Sequence, residues 1–204
     1  MKKIIFIIVT LVFISCQNKE VLLPELDKTV VKDVNNHSLI YFFFKIEKND
    51  TIIEVNRNNT ISSTNWIFNI DKRLPLKLVI PEVIKLQDKK ESSLHKDSTS
   101  QNYFSYSNKV KWQLAFLNFT NTKFKFEKPK YGTKIYFKKN NSILVDTTKV
   151  SQAKLFNFIE NLPSDKPIKF VFCFDKNLLF NEYLSYKIFL ESKKINADAV
   201  DWVY

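Results

Sequence analysis

Glycine is almost missing from this 204-residue chain, Gly132 being its one copy. A glycine-rich loop around a nucleotide phosphate is thereby excluded, because both G-x-G-x-x-G and G-x-x-x-x-G-K need several glycines for close backbone approach. Cysteine occurs twice, at Cys16 and Cys173, too few for a disulfide scaffold or a Cys-rich zinc site. Histidine also occurs twice, at His37 and His95, and no nucleophile motif such as G-x-S-x-G accompanies either. Paired carboxylates could serve a glycosidase, but Glu54, Glu160, Asp175 and Glu182 all fit simpler roles on solvated faces, caps or turns. No catalytic residue, metal ligand or cofactor is therefore expected.

Arginine is the other scarcity. Only Arg57 and Arg73 are present beside 30 lysines and 21 acidic residues, for a formal charge of +11. Arg is the side chain best suited to phosphate forks and base edges, and no basic stripe interleaved with stacking aromatics is present. The lysine excess, together with 20 asparagines, is the composition that an AT-rich genome supplies, so nucleic acid is not an expected partner. What the chain does have is core material. Its 45% apolar and 15% aromatic content excludes a disordered chain, and its length suffices for one ordinary domain or two small ones.

Residues 1–15 read as a secretory signal: Lys2 and Lys3, an apolar stretch over 4–14 too short to span a bilayer, then Ser15. Phe13-Ile14-Ser15-Cys16 resembles the lipobox of bacterial lipoproteins, with Phe13 where leucine is usual. The resemblance implies diacylation of Cys16 (palmitate-type chains), cleavage before it and acylation of the new amino group. Several acyl chains on one residue anchor stably, each buried CH₂ contributing about 0.8 kcal/mol. Loss of Lys2 and Lys3 lowers the charge from +11 to +9. Gln17 stands where lipoproteins kept in the inner membrane often have Asp, which favours the outer membrane. Asn18-Lys19-Glu20 lacks the acidic run associated with surface export, so a periplasm-facing position is expected. Cys173, inside the apolar run 168–174, reads as a buried small hydrophobe.

The remaining chain divides into a polar tether over 16–36, a first α/β unit over 37–130 and a second over 131–204. In the first unit, strands are expected at 38–46 and 51–57, a helix at 62–70 and a strand at 75–80. A mobile polar loop at 87–102 that includes a solvated His95, a helix at 110–119 and a strand at 123–127 follow. In the second unit, strands at 134–138 and 142–146 turn at Asn140-Asn141, residues that tolerate positive φ. A helix at 150–162, a central strand at 168–174, a helix at 178–194 and a strand at 199–204 complete it. The order is β-β-α-β-α-β in both halves. Leu74-Pro75-Leu76-Lys77-Leu78-Val79-Ile80 echoes Lys166-Pro167-Ile168-Lys169-Phe170-Val171-Phe172, which reads as an internal duplication. The fold class is thus α+β, as two tandem sandwich-like units.

The second unit resembles the periplasmic domain of the ExbD/TolR biopolymer-transport family. The likeness rests on the hairpin, the buried strand ending in Asp175-Lys176, the aromatic Phe180, the helix through Tyr183 and Leu190, and the closing strand. It covers residues 133–204, with a fainter version in 38–127. Asn141 and Asn196 stand where the family usually has glycine, and the family's transmembrane helix with its proton-carrying Asp has no counterpart. A motor role is therefore not implied. The resemblance implies a small periplasmic domain that dimerises or holds partner peptides or cell-wall material, and Asp175 reads as the cap of the following helix. The function expected is that of a lipid-anchored, non-enzymatic domain binding a protein or peptide in an envelope transport system. Strand 38–46 is its expected pairing edge. A small-molecule-binding lipoprotein with an apolar cleft between the halves, and a carboxylate-based envelope hydrolase, are the alternatives.

Overall fold

The first β-hairpin of each half is closed by non-glycine residues at positive φ. Lys48 and Asn49 (φ 49° and 69°) close the first, and Asn140 and Asn141 (φ 59° and 53°) close the second. Positive φ at both central residues is the geometry that matches the right-handed twist of paired strands. The computed structural model describes residues 19–163, 168–193, 195 and 197–204. Cys16, the signal 1–15 and Asn196 lie outside the described residues.

The elements are β1 (Glu25–Leu26), β2 (His37–Glu47), β3 (Asp50–Asn56), β4 (Asn65–Ile70), α1 (Leu76–Glu91), β5 (Asn102–Asn108), β6 (Gln113–Asn118) and β7 (Lys123–Lys125). They continue as β8 (Thr133–Lys138), β9 (Ser142–Val145), β10 (Thr148–Val150), a 3₁₀ turn (Gln152–Lys154), α2 (Leu155–Glu160), β11 (Phe170–Phe174), α3 (Phe180–Glu191) and β12 (Ala197–Val203). The protein is of the α+β class, with two six-stranded sheets.

The two sheets share the order of four strands. The first runs β3-β2-β4-β5 and the second β9-β8-β11-β12, each with an antiparallel hairpin followed by two parallel pairings. Their outer edges differ, since β6 joins β5 antiparallel whereas β7 joins β12 parallel. β7 precedes the expected boundary at 131 yet hydrogen-bonds into the second sheet.

Several expectations are corrected in the first half. Residues 75–80, read as a strand, begin α1, because Leu76, Val79, Ile80, Val83 and Leu86 bury one stripe at helical spacing. Residues 62–70, read as a helix, contain β4. Residues 110–119, read as a helix, contain β6, in which Ala115 and Leu117 alternate inward from Leu114 and Asn118. β5 lies mostly in a stretch given no element, and α1 runs into the expected loop 87–102. The first half therefore has one helix, not the two of β-β-α-β-α-β. The tether is corrected as well over its described part. Residues 19–36 pack on the fold through β1 against β5, Leu22 N–H to Asp71 (3.1 Å) and Val31 against Phe116, because Val21, Leu22, Leu23 and Val31 have apolar surface to cover.

Helices α1 and α3 lie between the sheets. Tyr183 on α3 meets Phe104 of the first sheet and Phe174 of the second, while α1 touches β3, β7 and α3. Their first turns pair: Leu76 N–H donates to Leu178 (2.9 Å) and Phe180 N–H to Leu74 (2.8 Å). One continuous hydrophobic core results, in which Phe42, Phe68, Phe104, Phe137, Phe174 and Phe180 are fully buried. Each such side chain contributes roughly 1.5–3 kcal/mol by leaving water. A smaller cluster of Val171, Cys173 and Trp202 covers the outer face of the second sheet. Gly132 (φ 74°) crosses that face so closely that a Cβ would meet Val171 Cγ2 at 2.5 Å.

Candidate binding surface

Most ionisable groups inside the fold are engaged by the protein itself, the buried Tyr204 hydroxyl being without a hydrogen-bond partner among the described residues. Asp71 is fully buried after β4 and accepts hydrogen bonds from Leu22 N–H (3.1 Å), Arg73 N–H (3.0 Å), Arg73 Nε (2.8 Å) and Arg73 Nη2 (2.7 Å). Burial pushes its carboxyl up, but the Arg73 guanidinium and the two backbone donors outweigh burial and hold it below the usual carboxylate range. Asp201 on β12 accepts from Tyr183 Oη (2.7 Å) and pairs with Lys187 Nζ (2.9 Å). Burial, then the Asp201 charge, drives the Tyr183 hydroxyl far above its ordinary range. Lys90, only 2% exposed, donates to Gln101 O and Asn102 Oδ1 (both 3.1 Å) and sits 5.2 Å from the Trp66 ring. Burial, and then the Lys96 charge, lower its pKa to about 8. Cys173 is fully buried, and burial pushes its thiol up to about 12, which makes it inert as a nucleophile.

The carboxylates singled out from the sequence are scattered. Glu54 pairs with Lys19 and Lys45, Glu160 lies 3.9 Å from Lys193, and Glu182 accepts from Leu179 N–H (2.9 Å) at the start of α3. Asp175 accepts from Asn177 N–H (2.8 Å) within the turn before α3, so it closes that turn and does not cap the helix. His37 and His95 are exposed. No cluster of His, Cys, Asp and Glu suited to a metal ion occurs among the described residues. The cleft at the junction of the halves, about 410 Å³ between β1 and α3, is lined largely by polar groups such as Glu25, Asp27, Lys109 and Asn181. It differs from the apolar cleft that a small-molecule carrier needs.

A different place combines backbone valence with apolar shape. β2, expected at an edge, is interior: β3 and β4 flank it. The correction follows from its composition, since Ile40, Phe42 and Phe43 are buried and interior strands carry the densest apolar runs. The edge is β3, which pairs only with β2 among the described residues. On the sheet's outer face beside it, Tyr41 and Phe43 stack at 6.0 Å and 15°. Residues 19–23 roof these rings, leaving a groove of about 480 Å³ lined by Val21, Leu23, Tyr41, Phe43, Asn56 and Asn69. A free row of N–H and C=O groups beside an aromatic groove can accept an added strand and read one of its side chains. The sequence hid this surface because its roof comes from the segment read as a tether.

Comparison with protein-family models, curated proteins and solved structures returns no match. Among the described residues, no helix is long and apolar enough to cross a membrane.

Proposed function

We propose that the chain is a lipid-anchored, non-enzymatic envelope domain that holds an extended segment of a partner protein along β3. The anchor is Cys16, and the domain faces the periplasm, with the outer membrane favoured. In this reading the two halves are tandem ExbD/TolR-like units, and the envelope system served is one of biopolymer transport. The observation that carries the reading is the unpaired edge of β3 lying beside the Tyr41–Phe43 groove. The lipobox-like Phe13-Ile14-Ser15-Cys16 supports the anchor. The shared strand order and the two turns Asp71-Lys72 and Asp175-Lys176 support duplication.

A photocrosslinking residue at Ile52 on β3, used in the native envelope, tests the partner. A protein adduct of constant mass is expected from Ile52 and none from Lys149 on β10; an adduct at twice the chain's mass identifies a second copy as the donor. Recovery of lipid alone from Ile52 would remove the reading. Cys16→Ala tests the anchor separately. Loss of the acyl mass and of membrane association is expected, and persistence of both overturns it.

A further inference from the structure

The chain enters the described fold at the same end of the first sheet as the exposed apolar side chains Ile46, Val110, Trp112 and Leu114, whereas exposed Leu94 and Ile61 lie at the other end. β2, β4 and β5 are parallel, so their C-terminal ends lie together. There β2 turns into β3 through Lys48 and Asn49, and β5 turns into β6 through residues 109–112. Lys19 pairs with Glu54, which lies opposite Phe43 at this end. The chain then crosses to Asp71 through Leu22 and to the tip of β5 through β1.

The β5–β6 tip presents Val110, Trp112 and Leu114, which are 66%, 90% and 53% exposed. Trp112 takes φ 51°, a left-handed conformation that costs a bulky residue about 1–2 kcal/mol. Ile46 (65% exposed) stands near the β2–β3 turn, two strand spacings or about 10 Å away across the sheet. Lys48 and Lys111 flank the two turns, and among the described residues neither has a carboxylate partner within salt-bridge distance. Exposed apolar side chains at one end of a sheet, an indole among them and lysines beside them, are the composition of a bilayer-interface contact. Only three residue steps separate Lys19 from Cys16, a reach of about 10 Å when extended.

We infer that this end of the first sheet docks on the surface of the bilayer, with Trp112 and Val110 seated at headgroup depth and Lys111 at the phosphates. The inference rests on the reading of Cys16 as the anchor, which holds this end within reach of the lipid. Membrane contact here leaves the lateral edge of β3 open to a partner.

The test uses the full lipidated chain in vesicles of phosphatidylethanolamine and phosphatidylglycerol, with and without brominated acyl chains. Trp66 and Trp202 are buried at 2% and 3% exposure, so the indole accessible to quenchers is that of Trp112. Bromolipid quenching with loss of iodide quenching is expected, and Trp112→Ser should abolish the bromolipid effect while leaving the thermal midpoint in place. Vesicles that carry the protein on flotation without bromolipid quenching of Trp112 would overturn the docking and leave the anchor standing. If the chain carries no acyl mass and does not float, the anchor reading fails; added vesicles that then leave Trp112 open to iodide overturn the docking too. A photocrosslinker at position 112 that yields a protein adduct of constant mass instead of lipid would assign this tip to a protein partner and also overturn the inference.

Discussion

Where the first sheet places Phe104 opposite Phe68, the second places Asp201 opposite Phe172. The helices above follow suit. Val79 and Val83 of α1 occupy the positions taken in α3 by Tyr183 and Lys187, which close on Asp201. Phe104 instead stacks on Phe119 at 3.7 Å and 5°. One strand order thus tolerates either an aromatic pair or a buried ion pair at the same point. What the position demands is that space and valence both be filled. Aromatic stacking achieves this with dispersion alone, whereas the carboxylate needs both a cation and a hydroxyl.

The largest effect is expected at Asp201. Asp201→Ala leaves the largely covered Lys187 without its partner and should destabilise the fold by about 3–5 kcal/mol, similar to the roughly 3–5 kcal/mol expected for Phe104→Ala. The two differ in rescue: Asp201→Leu combined with Lys187→Met should recover most of the loss, as read from urea midpoints. A double variant as unstable as Asp201→Ala would show that the ion pair is not exchangeable for packing. Gly132→Ala should come next. It forces a Cβ toward Val171 at positive φ and should cost about 2–4 kcal/mol, whereas Asn141→Gly, at a hairpin turn of similar φ, should change the thermal midpoint little.

The paired turns extend the contrast. Asp71→Asn removes charge-assisted bonds from a buried carboxylate and should cost about 2 kcal/mol, with residues 19–23 becoming open to proteolysis. Asp175→Asn in the equivalent turn should cost under about 1 kcal/mol, since it holds only Asn177. A pH-dependent effect distinguishes Lys90, the first half's own buried charge. Its folded pKa of about 8 lies below the ordinary lysine value of 10.5. Between those values the unfolded chain binds more protons, so stability rises with pH there, by at most about 1.4 kcal/mol per unit. Below pH 8 both states are protonated and this slope vanishes. Lys90→Met should lack the rise when urea midpoints are compared at about pH 7.5 and about pH 9.5.

The second half is more legible in the sequence than the first. Phe170, Phe172 and Phe174 alternate with Val171 and Cys173, and a run apolar at both parities suits a strand covered on both faces. Leu178 to Leu190 read as a helix because the apolar residues fill a wide arc. In the first half the same physics is masked. Leu78 and Pro81 make the start of α1 look like a short apolar strand ended by proline, although Leu76, Val79, Ile80 and Val83 already have helical spacing. Leu114 and Leu117 mimic a helix because three-residue spacing also occurs between opposite faces of a strand. The matching segments of the two halves are Ile70-Asp71-Lys72 and Phe174-Asp175-Lys176, displaced from the echo around Pro75 and Pro167. The Asp-Lys turn is present in both halves, but a two-residue match is too short to stand out beside a shared proline.

The candidate surface is less legible still. Strand 38–46 is recognisable, and its aromatic residues do form the groove, but its place between β3 and β4 depends on a parallel pairing with β4, a segment read as a helix. Strand order is a long-range property, fixed by which buried faces the helices between them can cover.

From residue order alone follow the composition class, the lack of glycine-rich phosphate loops, the asparagine turns and the burial of Cys173. These rest on residue chemistry and on neighbours a few positions apart. It took the tertiary structure to make residues 19–36 part of the fold, to leave β3 as the open edge, and to require the sole glycine where the chain crosses Val171. Each of these depends on contacts between segments far apart in the chain, and local periodicity carries no record of them.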